Sequence, residues 1–209
     1  MDLAVTAQRV YMATPFNPQP DRQEVVETLI SNLAKFESIF SDYQRGCDEQ
    51  CGECRPCLRA KLIITYMLSK PDTKAWEVWE VDGDTKLPLD LVGILYLTEI
   101  HAGCDAVAHY IFFDERLKDK TNLIKEVINW TFTDHPDMGW RALHRLTVQI
   151  PTHAFALVRH AQRFLGFGGD FTYKLGNKKV EIEGVKREAI RWRGEDVDVL
   201  ILGLLNDRE

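Results

Sequence analysis

The sequence predicts one mixed α/β domain spanning 1–209, with an α-rich beginning that gives way to strands. Three observations carry that expectation. The apolar period changes from helical to alternating near residue 75. Beyond it, short strands, a helix, a strand, a second helix and a closing run of strands follow one another. A chain of 209 residues with 45% hydrophobic and 28% charged side chains is long enough for one core and ordinary in composition.

The elements justify themselves in order. Arg9–Ala13 reads as a first strand, stopped by Pro15, Pro18 and Pro20. Asp21 stands three residues before Glu24, a capping-box spacing, and Val25, Val26, Leu29, Ile30, Leu33, Phe36 and Phe40 then recur at helical intervals, so a helix is expected over 22–41. Leu58–Leu68 reads as a second helix, with Pro56 suited to its first turn and Pro71 beyond its end. Trp76, Val78 and Glu80 alternate with Glu77, Trp79 and Val81, the period of a strand. Asp82-Gly83-Asp84 is a turn signal, and Leu89–Ile100 and Ala106–Phe113 form the next strands, antiparallel to each other. Helical spacing returns over Leu117–Phe132, followed by a strand Leu143–Ile150 and a helix Thr152–Phe164 that Gly166 closes. The tail holds strands at Phe171–Leu175, Lys179–Trp192 and Asp196–Leu205.

Charge and hydropathy narrow the function classes. A net charge of −6 argues against a general nucleic-acid binder, which needs cationic surface to displace phosphate counterions. Lys118–Lys120 and Lys178–Lys179 read as solvated turns, although a local basic patch suits a phosphorylated small ligand. No apolar run has the length to span a bilayer and no export signal is visible, so a cytoplasmic protein is expected, in the host cytoplasm or a virion if phage-encoded.

The densest chemical signal is Cys47-x3-Cys51-x2-Cys54-x2-Cys57. Four thiols within eleven residues can converge on one tetrahedral zinc ion, a knuckle at 45–57 between the first two helices. Three of the ligands at two-residue spacing resemble the structural zinc lobe of alcohol dehydrogenases. The first three cysteines also have the spacing of the iron–sulfur site in radical-SAM enzymes, and disulfides or free thiols stay open in an oxidising setting. Structural zinc is the leading reading; a closed four-thiolate site staples two helices and leaves no position for substrate. Cys104 is expected to be a small core residue.

The element order and several motifs resemble the GNAT acyltransferases, most of all the branch that acetylates ribosomal-protein N-termini, with a diverged phage-encoded member as one variant. Ala106–Trp130 matches that family's cofactor passage, Leu143–Ile150 with Leu165-Gly166-Phe167 its next block, and Glu183-Gly184, Arg187 and Asp198 before the closing Leu200–Leu205 its usual ending. The resemblance implies a central, mostly antiparallel twisted sheet flanked by helices, and acetyl-CoA as co-substrate. It places the pyrophosphate at a helix N-terminus, where backbone N–H groups and the helix dipole favour phosphate. Arg116, Lys118, Lys120, Thr121 and Asn122 are the matching residues here. Asp119 stands where the family has its first glycine and Thr121 where it has a second small residue. The family's acid, a tyrosine before the Gly-Phe pair, is Gln162 in this chain, leaving Tyr110 and Tyr173 as replacements.

A general base for the amine is expected among His109, Glu99 and Asp105 on the central strands, and Tyr110 is a further catalytic candidate there; a histidine has the intrinsic pKa for taking up an amine proton. His144, His153 and His160 are expected to be structural. Two functions are weighed: an acyl-CoA-dependent N-acetyltransferase acting on an amine, and a non-catalytic GNAT-shaped assembly protein, such as a virion component, with a protein partner or a second copy of itself. The scaffold reading expects a cleft filled by side chains. A zinc-stapled binding module rests on the cysteines alone.

Overall fold

The computed structural model describes residues 10–15, 66, 70, 72–112 and 120–206. The helix expected over 22–41, all of that expected over 58–68 except the helical Tyr66, the four clustered cysteines and residues Arg116 and Lys118 lie outside these residues.

Seven strands form one sheet in the order β1-β2-β3-β4-β5-β9-β8. They are β1 (Val10–Pro15), β2 (Lys74–Val81), β3 (Pro88–His101), β4 (Asp105–Phe112), β5 (Arg145–Pro151), β8 (Gly184–Trp192) and β9 (Glu195–Leu205). Strands β1 to β4 are an antiparallel meander, as the turn signals imply. The β4–β5 pair is parallel. A parallel pair needs a crossover, and helix α1 (Thr121–Thr131) supplies it. Beyond β5, helix α2 (Phe155–His160) continues through a wider π turn, Ala161–Leu165, to Gly166, whose left-handed φ of 81° ends the helix as its sequence position suggests.

Periodicity decides which face each element buries. Leu123, Ile124 and Ile128 of α1 and Val158, Ala161 and Leu165 from α2 and its π turn pack on Ala106, Leu146, Val148 and Leu200 of the sheet. Each such large apolar side chain contributes about 1.5–3 kcal/mol by leaving water. At the last turn of α1, Trp130 meets Trp76 edge-on at 5.3 Å and Trp140 at 5.1 Å, with the Lys74 ammonium 4.9 Å from the Trp130 ring. This aromatic block fastens the helix end to β2.

Two expectations are corrected. The stretch read as one strand, Lys179–Trp192, is two. β7 (Lys178–Ile182) pairs with β6 (Phe171–Leu175) in a separate hairpin, and β8 joins the main sheet. The break is at Glu183, whose N–H leaves the hairpin ladder to donate to the Ile201 carbonyl at 2.8 Å. Cys104 is exposed, because it stands in the 102–104 turn of the β3–β4 hairpin with its N–H held by the His101 carbonyl.

A cleft between two diverging strands

Strands β4 and β5 pair over three positions only, Asp105↔Arg145, Ala106↔Leu146 and Val107↔Thr147. Past Val107 and Thr147 there is no ladder between them. The remainder of β4 pairs with β3 alone and the remainder of β5 with β9 alone. A wedge opens in the middle of the sheet, and a cleft of about 420 Å³ occupies it. Facing edges of two extended strands without partners are a template for an extended polar ligand, since backbone N–H and C=O groups seek hydrogen bonds.

Strand alternation makes the cleft two-faced. Ala108, Tyr110, Val148 and Ile150 line it from the face that α1 and α2 cover, together with Leu157 of α2. Val107, His109, Ile111 and Gln149 line it from the opposite face, with Tyr96, Thr98 and Glu99 of β3. Lys70, Asp72 and Thr73 stand at the rim. The cleft is therefore lined from both faces of the sheet.

Of the candidates read from sequence, His109, Glu99 and Tyr110 border this cleft, while Asp105 and Tyr173 do not. Glu99 owes its place to a bulge: between the pairs Thr98↔Val107 and His101↔Asp105, β3 carries one residue more than β4. Glu99 takes a left-handed φ of 53° there and is exposed at the cleft mouth. Bulges bend a strand and re-aim its side chains, and a non-glycine residue in this region costs about 1 kcal/mol or more. His101 and Asp105, 2.6 Å apart, close the bulge.

His109 stacks on Tyr96 at 4.6 Å and shares a 2.9 Å hydrogen bond between its Nε2 and the Thr98 hydroxyl. Burial pushes its pKa down to about 4, so the ring is neutral at pH 7. Such a ring accepts a proton poorly. Tyr110 lies on the helix face, and burial raises its pKa. Its hydroxyl has no hydrogen-bond partner among the described residues.

The expected cofactor residues fall at the start of α1. Lys120 is fully buried, its ammonium 5.4 Å from the Phe112 ring. Thr121 shares a 3.1 Å hydrogen bond with His160 Nε2 of α2, and Asn122 is exposed. His160 is buried, which lowers its pKa. Gln162 donates from its amide nitrogen to the Glu181 carbonyl of β7 at 2.7 Å.

The closing motif has structural work. Arg145 of β5 pairs with Glu183, whose carboxylate lies flat on Gly203; a methyl group at Gly203 would overlap it. Arg187 pairs with Asp198 at 2.5 Å, and the Glu188 N–H donates to the same carboxylate at 3.0 Å, which anchors a second bulge in β8. These contacts hold Asp198 below its usual range, the Glu188 N–H first. The sequence carried no sign of the Glu99 bulge or the Thr121–His160 bond, because neither involves a glycine, a proline or a spacing rule.

No family model and no curated protein matches the sequence. Solved structures do match the fold. Spermidine N-acetyltransferase from Vibrio cholerae, in complex with CoA and spermine, covers 97% of this chain and 98% of its own at 14% identity, with a TM-score of 0.60. The microcin C7 self-immunity acetyltransferase, in complex with acetyl-CoA and AMP, covers 92% of both chains at 16% identity, with a TM-score of 0.58. The chain has the GNAT fold. Within that GNAT framework the wedge, the crossover helix α1 and the two-faced cleft are parts of one architecture, and the β6–β7 hairpin packs Val180 and Ile182 into the same core. Among the described residues no cluster of metal-binding side chains occurs, and no helix is long and apolar enough to cross a membrane.

Proposed function

We propose that this chain transfers an acyl group from acyl-CoA to an amine, with the thioester seated in the wedge between β4 and β5. The observation that carries the reading is the cleft where β4 and β5 part, lined from both faces of the sheet. It offers one entrance on the helix face for a thioester arm and one on the opposite face for a nucleophile. An assembly scaffold predicts a filled cleft, and about 420 Å³ of space supports the enzyme instead.

The chemistry follows from placement. The unpartnered edges of β4 and β5 hydrogen-bond the amide-rich arm of the co-substrate and aim its carbonyl carbon at the opposite face. Arg116, Lys118 and the first turn of α1 meet the phosphates. Thr121 and Asn122 stand at that turn, while buried Lys120 contributes positive potential beneath it. The amine arrives past Asp72 and Glu99, whose carboxylates favour a cation, and Glu99 takes its proton as it attacks. The gain comes mainly from orienting two reactants in a narrow site.

Calorimetric titration of the full chain with acetyl-CoA tests the reading. Saturable binding that Arg116→Ala weakens at least about tenfold is expected; no heat at millimolar co-substrate overturns it. The thiols Cys47, Cys51, Cys54 and Cys57 are a complete donor set for tetrahedral zinc. Their role is a staple, supported by spacing and by the chemistry of four thiolates. One zinc per chain by elemental analysis, and a Tm lowered by chelation, are the expected results; a metal-free purified chain of unchanged Tm speaks against zinc.

A further inference from the structure

We propose that a small apolar pocket behind Ala108 receives the acyl chain of the co-substrate, and that it suits a short saturated chain longer than acetyl. The proposal rests on the acyltransferase reading and names the acyl class for it.

A second space adjoins the cleft. It measures about 30 Å³ and lies under α1, where Ile124, Val127 and Ile128 face Leu146 of β5 and Leu97 of β3. From the helix face, Ala108, Tyr110 and Val148 line both this space and the cleft. Ala108 and Val148 are the residues that directly follow the last β4–β5 pair, Val107↔Thr147. The two spaces therefore meet at the closed end of the wedge.

Side-chain size keeps that meeting point open. The helix face of β4 reads Ala106, Ala108, Tyr110 and Phe112. Ala106 is buried in its pairing with Leu146. Ala108 is only half-buried, although α1 and α2 cover its face, because the cleft reaches it. A larger side chain at Ala108 would fill the passage.

The space is suited to carbon. A buried water is held by about two to four polar partners. The Thr131 hydroxyl is committed to the Ile128 carbonyl at 2.6 Å. Tyr96 and His109 belong to the opposite face, which leaves Tyr110 as the polar side chain of the lining. A single partner does not hold a water, and apolar cavities stay dry. One water-sized group needs about 10–15 Å³, so the space admits about two carbon atoms.

The direction of approach brings the chain there. Sulfur, oxygen and the acyl chain lie in one plane around the thioester carbon, and an amine attacks across that plane. With the amine arriving from the Glu99 face, the plane lies along the sheet and the chain runs within the wedge. The amide-rich arm occupies the open end between the unpartnered strand edges. The acyl chain then points to the closed end, at Ala108.

Calorimetric titration of the full chain with acetyl-CoA, propionyl-CoA and hexanoyl-CoA is the test, and it needs no acceptor. Moving one methylene from water into an apolar site favours binding about fourfold. Propionyl-CoA is thus expected to bind about fourfold more tightly than acetyl-CoA. Hexanoyl-CoA, whose chain outruns the space, is expected to bind more weakly than propionyl-CoA. Ala108→Val fills the passage and should bring the propionyl-to-acetyl ratio of affinities to about one or below. Val127→Ala enlarges the same space from the helix side and should strengthen hexanoyl-CoA relative to acetyl-CoA. Each ratio is read on one preparation, so a partly folded variant changes the number of sites and not the ratio. A wild-type ratio near one, or ratios that neither variant moves, overturns the proposal while leaving the acyltransferase reading intact. A wild-type chain that binds none of the three overturns both.

Discussion

Strand β5 has two neighbours and treats them differently. Against β9 it pairs along its whole length, seven residues from Arg145↔Leu205 to Pro151↔Val199. Against β4 it pairs at three residues and then departs. The polar side chains follow the same division. On the β5–β9–β8 side, Arg145 reaches Glu183, Arg187 reaches Asp198, and Lys186 donates to Gln149 at 2.9 Å. On the β4 side, the Tyr110 hydroxyl, the Thr73 hydroxyl and His160 Nδ1 are buried without partners among the described residues, as is Arg145 Nε on the other side. The β4 side has bonds of its own, Thr98 with His109 and Thr121 with His160, and its ion pair, His101–Asp105, stays within one hairpin. The ion pair that joins segments distant in sequence, Arg145–Glu183, lies where the sheet closes.

Gly203→Val attacks the closed side most directly, since its side chain would displace the Glu183 carboxylate from Arg145. A loss of about 1–3 kcal/mol is expected in urea denaturation, mostly from overpacking. A change under about 1 kcal/mol would mean that this side is less tightly built than the comparison requires.

Acid separates the two sides next. His109, on the cleft, has a folded pKa of about 4 against an ordinary value of 6.5. The unfolded chain therefore binds more protons between those values, so stability falls as pH drops through this window and levels off below it. The loss amounts to about 3 kcal/mol, and His160 adds to it in the same direction. Asp198, on the closed side, is depressed, so its contribution is intact above about pH 4 and is lost only below it. Denaturation between pH 7 and 4 with His109→Gln should show a flatter slope than wild type; an unchanged slope would remove His109 from the account.

The smallest change in stability of the three belongs to the bulge. Glu99→Gly relieves a left-handed backbone and is expected to raise stability by up to about 1 kcal/mol, while lowering kcat by about 100-fold through loss of the base. Lower stability in this variant would show that the side chain, and not the backbone, holds the bulge together.

Much of this was legible in the sequence. The switch in apolar period located β2, β3, β4 and α1 because each buries one face against the same core. Gly166, placed by sequence at the end of a helix, takes the left-handed backbone that such an end needs. The split at Glu183 was not legible, since Val180, Ile182 and Val185 do not say which sheet their strand joins. Alternation records a face and carries no information about a partner. The site divides in the same way. Glu99, His109 and Tyr110 were named as candidates from residue type and strand position, and the structure brings all three to one cleft. What distinguishes them is burial, Glu99 exposed and the other two enclosed, a property of the assembled sheet that no spacing encodes.

The aromatic block at the end of α1 has an optical consequence. Trp76, Trp130 and Trp140 lie with ring centres 5.1–5.3 Å apart in successive pairs, close enough to couple their transitions. Three of the chain's five indoles thus behave as one chromophore, about 14 Å along the helix from Thr121. Its near-ultraviolet dichroism and emission report whether α1 is seated on β2. An optical titration of this protein is therefore a gauge of helix docking, and occupancy of the cleft has to be read by heat or by turnover.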